Sequence, residues 1–305
     1  MKFTRLLLFL PLLLVLSVKC TKDGDEALIQ DLLESSWYIG SGTLRNYDDS
    51  THVPKGATSI SALIDTVPYV HWVRWIERPV IREYDIVLFD DSADVTIRAY
   101  FHGAAPGYGF FVNNDLLQPV YQRTIADSVI RRVKLWRDGN NRWRLGSLTV
   151  ADVSTANTVH PVMINEIRAS VASRDHEFVV DDANTYFEKN ELPIFYPNDT
   201  VEVMVTCSAE GDSTWAFHHH GTGHRPGIGY HIRQPFYREN TDTFQHTWVI
   251  ADDSILATPS VRHSLVDALG WQTLFSDGDA TYYARAWCLP YIVIQPGEEI
   301  PDDEE

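Results

Sequence analysis

The densest group of chemically competent side chains is His218, His219 and His220, followed by Gly221, Thr222, Gly223 and His224, with His231 and His246 beyond. On an extended strand alternate side chains face the same way, so His218 and His220 share a side. A three-residue turn containing glycine then returns His224 opposite them. Three imidazoles on one face make a zinc site with an open fourth position, the arrangement of catalytic zinc. The competing reading is a wet, glycine-rich strand end bearing polar rings, and Arg225 beside His224 opposes a bound cation. A His-Glu-x-x-His helix or a Cys-x-x-Cys pair would strengthen the zinc reading, and neither accompanies the run. The chain is therefore read as having no cofactor, with zinc as the alternative.

The other reactive side chains are three cysteines, Cys20, Cys207 and Cys288. Cys20 ends an apolar run from Leu6 that stands behind Lys2 and Arg5. A basic start followed by such a run is an export signal, too short for a membrane span with the usual flanks. Its end, Leu16-Ser17-Val18-Lys19-Cys20, resembles a bacterial lipoprotein signal. That resemblance implies removal of residues 1–19 and a lipid on Cys20, with ordinary signal cleavage and full secretion as the other reading. Cys207 and Cys288 remain, and in an oxidising compartment two such thiols are expected to be bridged, provided the fold brings them together. A loop of 81 residues closed this way is worth roughly 4 kcal/mol of chain entropy.

Charge narrows the partners. The 305-residue chain carries a formal −17, and loss of Lys2, Arg5 and Lys19 with the signal takes it to −20. Such a field repels phosphates and gains nothing at an anionic bilayer surface, which argues against nucleic acid. The acidic stretch from residue 297 to 305 packs like charges too closely to fold and reads as a solvated, disordered tail.

The elements that must position these residues fall into two groups. Leu28, Ile29, Leu32, Leu33 and Trp37 recur at helical spacing, and Pro68 opens a second such pattern through Tyr69, Trp72, Val73 and Ile76. The period then changes to two: Tyr84, Ile86 and Leu88, then Val95, Ile97, Ala99 and Phe101, predict antiparallel strands. Val129, Arg131, Val133 and Leu135 lead through Asp138-Gly139-Asn140-Asn141 to Trp143, Leu145 and Leu148, the clearest hairpin in the chain. A polar stretch over residues 153–161 reads as a linker. Beyond it, Val201, Val203, Val205 and Cys207, then Trp215 and Phe217, Thr247 to Ile250, and Tyr282, Ala284, Ala286 and Cys288 predict an all-β half.

Helices followed by a meander, closed by the hairpin around Val133-Lys134-Leu135-Trp136-Arg137-Asp138-Gly139 and Trp143-Arg144-Leu145, resemble the NTF2-like, cone-shaped α+β superfamily. The resemblance implies a cone over residues 20–152 whose pocket Tyr84, Asp85 and His102 would line, although alternation places Asp85 and His102 as readily on the outer face. The second half, residues 162–296, resembles an immunoglobulin-like β-sandwich, with a turn, a valine-rich strand bearing Cys207, Trp215 eight residues later, and a second cysteine near the end behind tyrosines. That resemblance likewise implies a Cys207–Cys288 staple. Gly107-Tyr108-Gly109 and Gly227-Ile228-Gly229 precede no strand-to-helix switch, so they are not phosphate loops.

The expectation is thus an exported, lipid-anchored protein of the periplasm or cell surface, an outer-membrane lipoprotein, with an NTF2-like α+β domain and an immunoglobulin-like sandwich. Its role is binding or assembly with an extracytoplasmic protein or glycan, without catalysis. The alternative is a zinc protein or small-molecule enzyme using His218, His220 and His224 or the first-domain pocket.

Overall fold

The computed structural model describes residues 24–40, 42–49, 70–114, 120–156, 161–221, 231–251, 258–276 and 280–302. The signal segment and Cys20 lie outside them. Among the described residues the α-helices are α1 over residues 24–35, α2 (Gly42–Tyr47) and α3 (Trp271–Phe275). The strands of the first half are β1 (Val70–Trp75), β2 (Arg82–Leu88), β3 (Ser92–Gly103), β4 (Gly109–Asn114), β5 (Val120–Arg123), β6 (Ile125–Arg137), β7 (Trp143–Leu148) and β8 (Ala151–Thr155). After these come β9 (Val162–Val171), β10 (His176–Val180), β11 (Phe187–Glu188), β12 (Ile194–Phe195), β13 (Thr200–Ala209) and β14 (Thr214–Gly221). The last are β15 (His231–Pro235), β16 (Tyr237–Arg238), β17 (Thr243–Val249), β18 (Ser260–Gly270) and β19 (Ala284–Val293).

These strands form three sheets. The largest runs β11-β7-β6-β8-β19-β18-β14-β15, with β3 and then β2 added beside β6, and β12 beside β19. A five-stranded sheet, β10-β9-β13-β17-β16, contributes Val201, Val203, Val205 and Phe244 to one core, which also takes Val266 and Ala268 from β18. A small sheet, β1-β4-β5, contributes Trp72, Phe110 and Val112 to a second core together with Leu265 and Leu269 of the same β18. Adjacent residues of β18 therefore enter different cores, so this strand is buried on both faces, with polar residues such as Arg262 and Asp267 set among its apolar ones. α1 buries Ile29 and Leu33 in the first core, and α2 buries Leu44 and Tyr47 in the second.

Much of the strand pattern forms as the period of two predicts. Ile86 lies opposite Val95, and Val95 opposite Val133. The β6–β7 hairpin turns where the Asp138-Gly139-Asn140-Asn141 punctuation placed it. Asn141 adopts a φ of 61°, a left-handed value asparagine tolerates. The Asp138 carboxylate accepts the backbone N–H groups of Arg142 and Asn140 across this turn. The Arg142 N–H, with Arg144 and Asn140, holds its pKa down at about 2 against the opposing effect of burial.

The NTF2-like cone followed by a separate sandwich does not form; the protein is mostly β, in several antiparallel sheets. The helix expected from Pro68 onward is instead β1, paired with β4 from Val70↔Asn114 to Trp75↔Gly109. Trp72, Val73, Arg74 and Ile76 are all buried, so a strand covered on both sides imitates the i, i+3, i+4 spacing of a helix. The β-branched and aromatic content of Val70, Trp72, Val73 and Trp75 was the signal that favoured a strand. The stretch assigned to a linker begins inside β8, which lies between β6 and β19 and joins strands of both halves in one sheet. Its polar residues have cross-strand partners: Asp152 accepts from Arg285, and Thr155 donates to Asp127 at 2.8 Å. Residues 157–160 lie outside the described part.

At the C-terminus, Tyr38 donates to the Pro301 carbonyl at 2.6 Å, and Lys189 pairs with Asp302 at 2.7 Å. The acidic end thus docks as far as residue 302.

Cys207 and Cys288 are both buried free thiols, the first in the core against the five-stranded sheet and the second in the core against the small sheet. They sit on opposite faces of the central layer, which is why the expected staple does not close. The Cys207 sulfur lies 3.3 Å from the Thr214 hydroxyl, and burial pushes this thiol up to about 11. Denatured without reductant, the protein should react with iodoacetamide at both Cys207 and Cys288. Resistance of both until reductant is added would contradict the two separate thiols.

Candidate functional site

The histidine run lies on β14, and the strand places His218 and His220 on the same side, their ring centroids 5.1 Å apart. The third imidazole facing them is His246, which β17 brings in from the opposite sheet. Its ring is 5.7 Å from that of His218. The strand returning beside β14 is β15, in a register of Gly221↔His231, so His218 faces Gln234 across the pair. His224 falls within residues 222–230, outside the described part.

Gln234 Oε1 lies 3.3 Å from His220 Nε2 and 3.0 Å from His246 Nε2. An amide oxygen only accepts, so both Nε2 atoms carry protons and donate to it. His218 Nε2 meets the Ser264 hydroxyl at 2.7 Å, and the Trp248 ring packs edge-on to His218 at 4.8 Å. The cluster is thereby built as a polar seam between two sheets. Among the described residues no group of three His, Cys, Asp or Glu side chains is arranged to hold a metal ion. His246 was legible as inward-facing from its alternation with Phe244 and Trp248.

A second polar cluster, which sequence reading missed, spans the opposite core. Arg74 of β1 lies 2.8 Å from Asp267 of β18, both side chains fully buried, and His219 Nε2 lies 3.4 Å from the same carboxylate. The Arg74 guanidinium stacks 3.7 Å above the Tyr47 ring. Asp49 accepts the Arg74 backbone N–H at 2.7 Å and pairs with Arg233 at 2.8 Å, while Arg233 lies 3.4 Å over Trp72. Tyr47 donates to Asp127 at 2.8 Å and Tyr282 donates to it at 3.2 Å. Burial alone would raise the Asp267 pKa, but Arg74 and His219 outweigh it and hold the carboxyl below its usual range. At Asp127 burial wins over Arg74 and the hydroxyl donors, and its pKa is raised. Arg74 and Asp267 meet as a close ion pair rather than through well-aligned hydrogen bonds, and opposite charges buried in contact hold their layers together. Their signal in the sequence was a charged residue at a core position, as with Asp127 between Ile125 and Val129.

A third location is a recess at the seam of the two cores, a cavity of about 40 Å³ lined by Arg131, Arg82, Tyr84, Thr43 and aliphatic side chains including Ile39 and Val129. Of the three residues considered for a first-domain pocket, Tyr84 lines this recess. Asp85 and His102 are exposed on the outer face, where Asp85 approaches Arg98 at 3.7 Å. Arg131 is 3% exposed and donates to the Cys288 carbonyl at 2.8 Å and to the Tyr38 carbonyl at 3.4 Å. Arg82 donates to the Gly40 carbonyl at 3.3 Å.

No family model matches the chain, and no curated protein matches it. No helix among the described residues is long and apolar enough to cross a membrane.

The histidine seam has a measurable consequence. Burial holds the His218 pKa well below the usual imidazole value, with His220, His246 and His219 acting in the same direction, and burial lowers His246 as well. Both imidazoles bind protons more readily in the unfolded chain, where the value is about 6.5, so stability present above that pH is lost as pH falls through it. Unfolding free energies from urea titrations at pH 7.5 and 5.5 should fall by up to about 1.4 kcal/mol per pH unit for each imidazole that stays neutral when folded. His218→Gln should flatten that slope, and a slope equal to wild type would remove His218 from the explanation.

Proposed function

We propose that this protein is exported, carries a lipid at Cys20, and acts as a binding or assembly protein at the periplasmic or cell surface, without catalysis. The apolar run ending at Cys20 supports the anchor. The acidic balance supports a partner other than nucleic acid, such as an extracytoplasmic protein or glycan. The observation that carries the binding role is the recess at Arg131: a concave site with aliphatic walls and a cationic floor, the composition of a ligand pocket. Its polar groups are guanidiniums, a hydroxyl and a phenol, which orient a ligand by charge and hydrogen bonds. The acid–base candidates, His218, His219, Asp267 and Asp127, are engaged with one another or with core neighbours elsewhere in the fold.

Mass spectrometry of the mature N-terminus tests the anchor. The expected species begins at an acylated Cys20. An unmodified chain beginning at any other residue, or an intact precursor starting at Met1, would refute it.

A further inference from the structure

Arg131 differs from Arg74 and Arg233, two other buried cations of the core, in what surrounds it. Arg74 faces Asp267 and Arg233 faces Asp49, each at 2.8 Å. Arg131 is paired with no carboxylate among the described residues. The titratable groups that bear on it are the Cys288 thiol, whose charged form burial disfavours, and a second cation, Arg82, and its Nε is buried without a hydrogen-bond partner. Arg82 and Arg131 reach the recess from β2 and β6, whose inner faces are linked through β3: Arg82 lies opposite Ala99, and Arg131 opposite Ile97. Glu34 accepts from the Tyr84 hydroxyl at 3.3 Å, is exposed, and engages neither guanidinium.

A buried ion without a counter-charge is costly, and an anion placed between two guanidiniums removes that cost for both. Guanidinium N–H groups match a carboxylate, which accepts two of them at once. The remaining walls are Ile39, Leu44, Ile97, Phe101, Val129 and alanines, a surface for a short aliphatic chain rather than for a hydrated ion. The cavity of about 40 Å³ has room for roughly three water-sized groups, the span of a carboxylate and little more.

Given the binding role proposed above, on which this rests, we infer that the recess is a binding site for a small aliphatic monocarboxylate, its carboxylate held by Arg131 and Arg82 and its chain laid against Ile97, Phe101 and Val129. Tyr84 and Thr43 supply hydroxyls at the rim. The signature in the sequence is Arg131 itself, a cation in the inward series Val129, Arg131, Val133.

Isothermal titration of the full mature chain at pH 7.5 with propionate, and separately with propionamide and chloride, tests the site. Saturable binding of propionate is expected, with at least tenfold weaker binding of the neutral amide and of chloride. Arg131→Gln should abolish it. Because that substitution sits in the core, Arg82→Gln, on an edge strand, is the second variant, and it should weaken propionate at least tenfold while the chain stays folded. Equal binding of propionamide, equal binding of chloride, or wild-type affinity in a folded Arg82→Gln protein would each overturn the assignment. An acylated chain that ignores propionate refutes the site and leaves the anchor standing, whereas propionate binding by a chain that proves never to be acylated does the reverse.

Discussion

The fold depends on a guanidinium and a carboxylate meeting where water does not reach. Arg74 comes from the small sheet and Asp267 from the central strand of the large one, so the pair forms only when these two layers are in place. Tyr47 closes over the guanidinium from α2, and the next residues, Asp48 and Asp49, bind Arg78, Arg233 and the β1 backbone. Apolar burial on both sides of β18 supplies most of the driving force, but burial alone does not choose which sheet lies on which face. Charges that are tolerated only in mutual contact do choose, because any slip leaves one of them desolvated and alone.

The same reasoning separates the three polar regions of the interior. In the Arg74 cluster, charge is balanced within the protein. In the histidine seam, burial disfavours the charged forms of His218 and His246, and Gln234 accepts hydrogen bonds from His220 and His246. Arg123 shows how carbonyls can satisfy a buried guanidinium, since Thr273 and Ser276, at the end of α3, both present oxygens to it. At Arg131 the carbonyls of Cys288 and Tyr38 meet part of that need, and a second cation adds to it. That imbalance, next to a recess, is what gives the position its binding character.

What could be seen in the sequence was local. Alternation located β2, β3, β6, β7 and β13, and helical spacing located α1, because each of those segments has one wet face or a clear turn beside it. β1 was misread because it is covered on both sides, and a strand with no wet face shows no period. β8 reads as a linker because Asp152, Ser154 and Thr155 look like loop residues until their partners Arg285, Ser128 and Asp127 are brought beside them. The pairing of β8 with β19, and with it the absence of a free-standing cone, depends on contacts more than a hundred residues apart that no local pattern encodes. His218 and His220 were legible as neighbours, whereas Gln234 and His246, which complete their surroundings, arrive from other strands. The charged core residues were visible only as charges inside apolar series.

The premise beneath both the architecture and the reading of Arg131 is that a guanidinium buried here is costly when the acceptor it depends on is taken away, whether that acceptor is a carboxylate, as for Arg74, or a set of carbonyls, as for Arg123. Chemical unfolding of Asp267→Asn, which leaves Arg74 in place, measures that directly, with Arg74→Met combined with Asp267→Leu as the reference in which neither charge remains. The expected result is a loss of about 3–5 kcal/mol in the single variant and recovery of most of it in the double. A single variant within about 1 kcal/mol of wild type, inside the range of substitutions that disturb nothing buried, would contradict it.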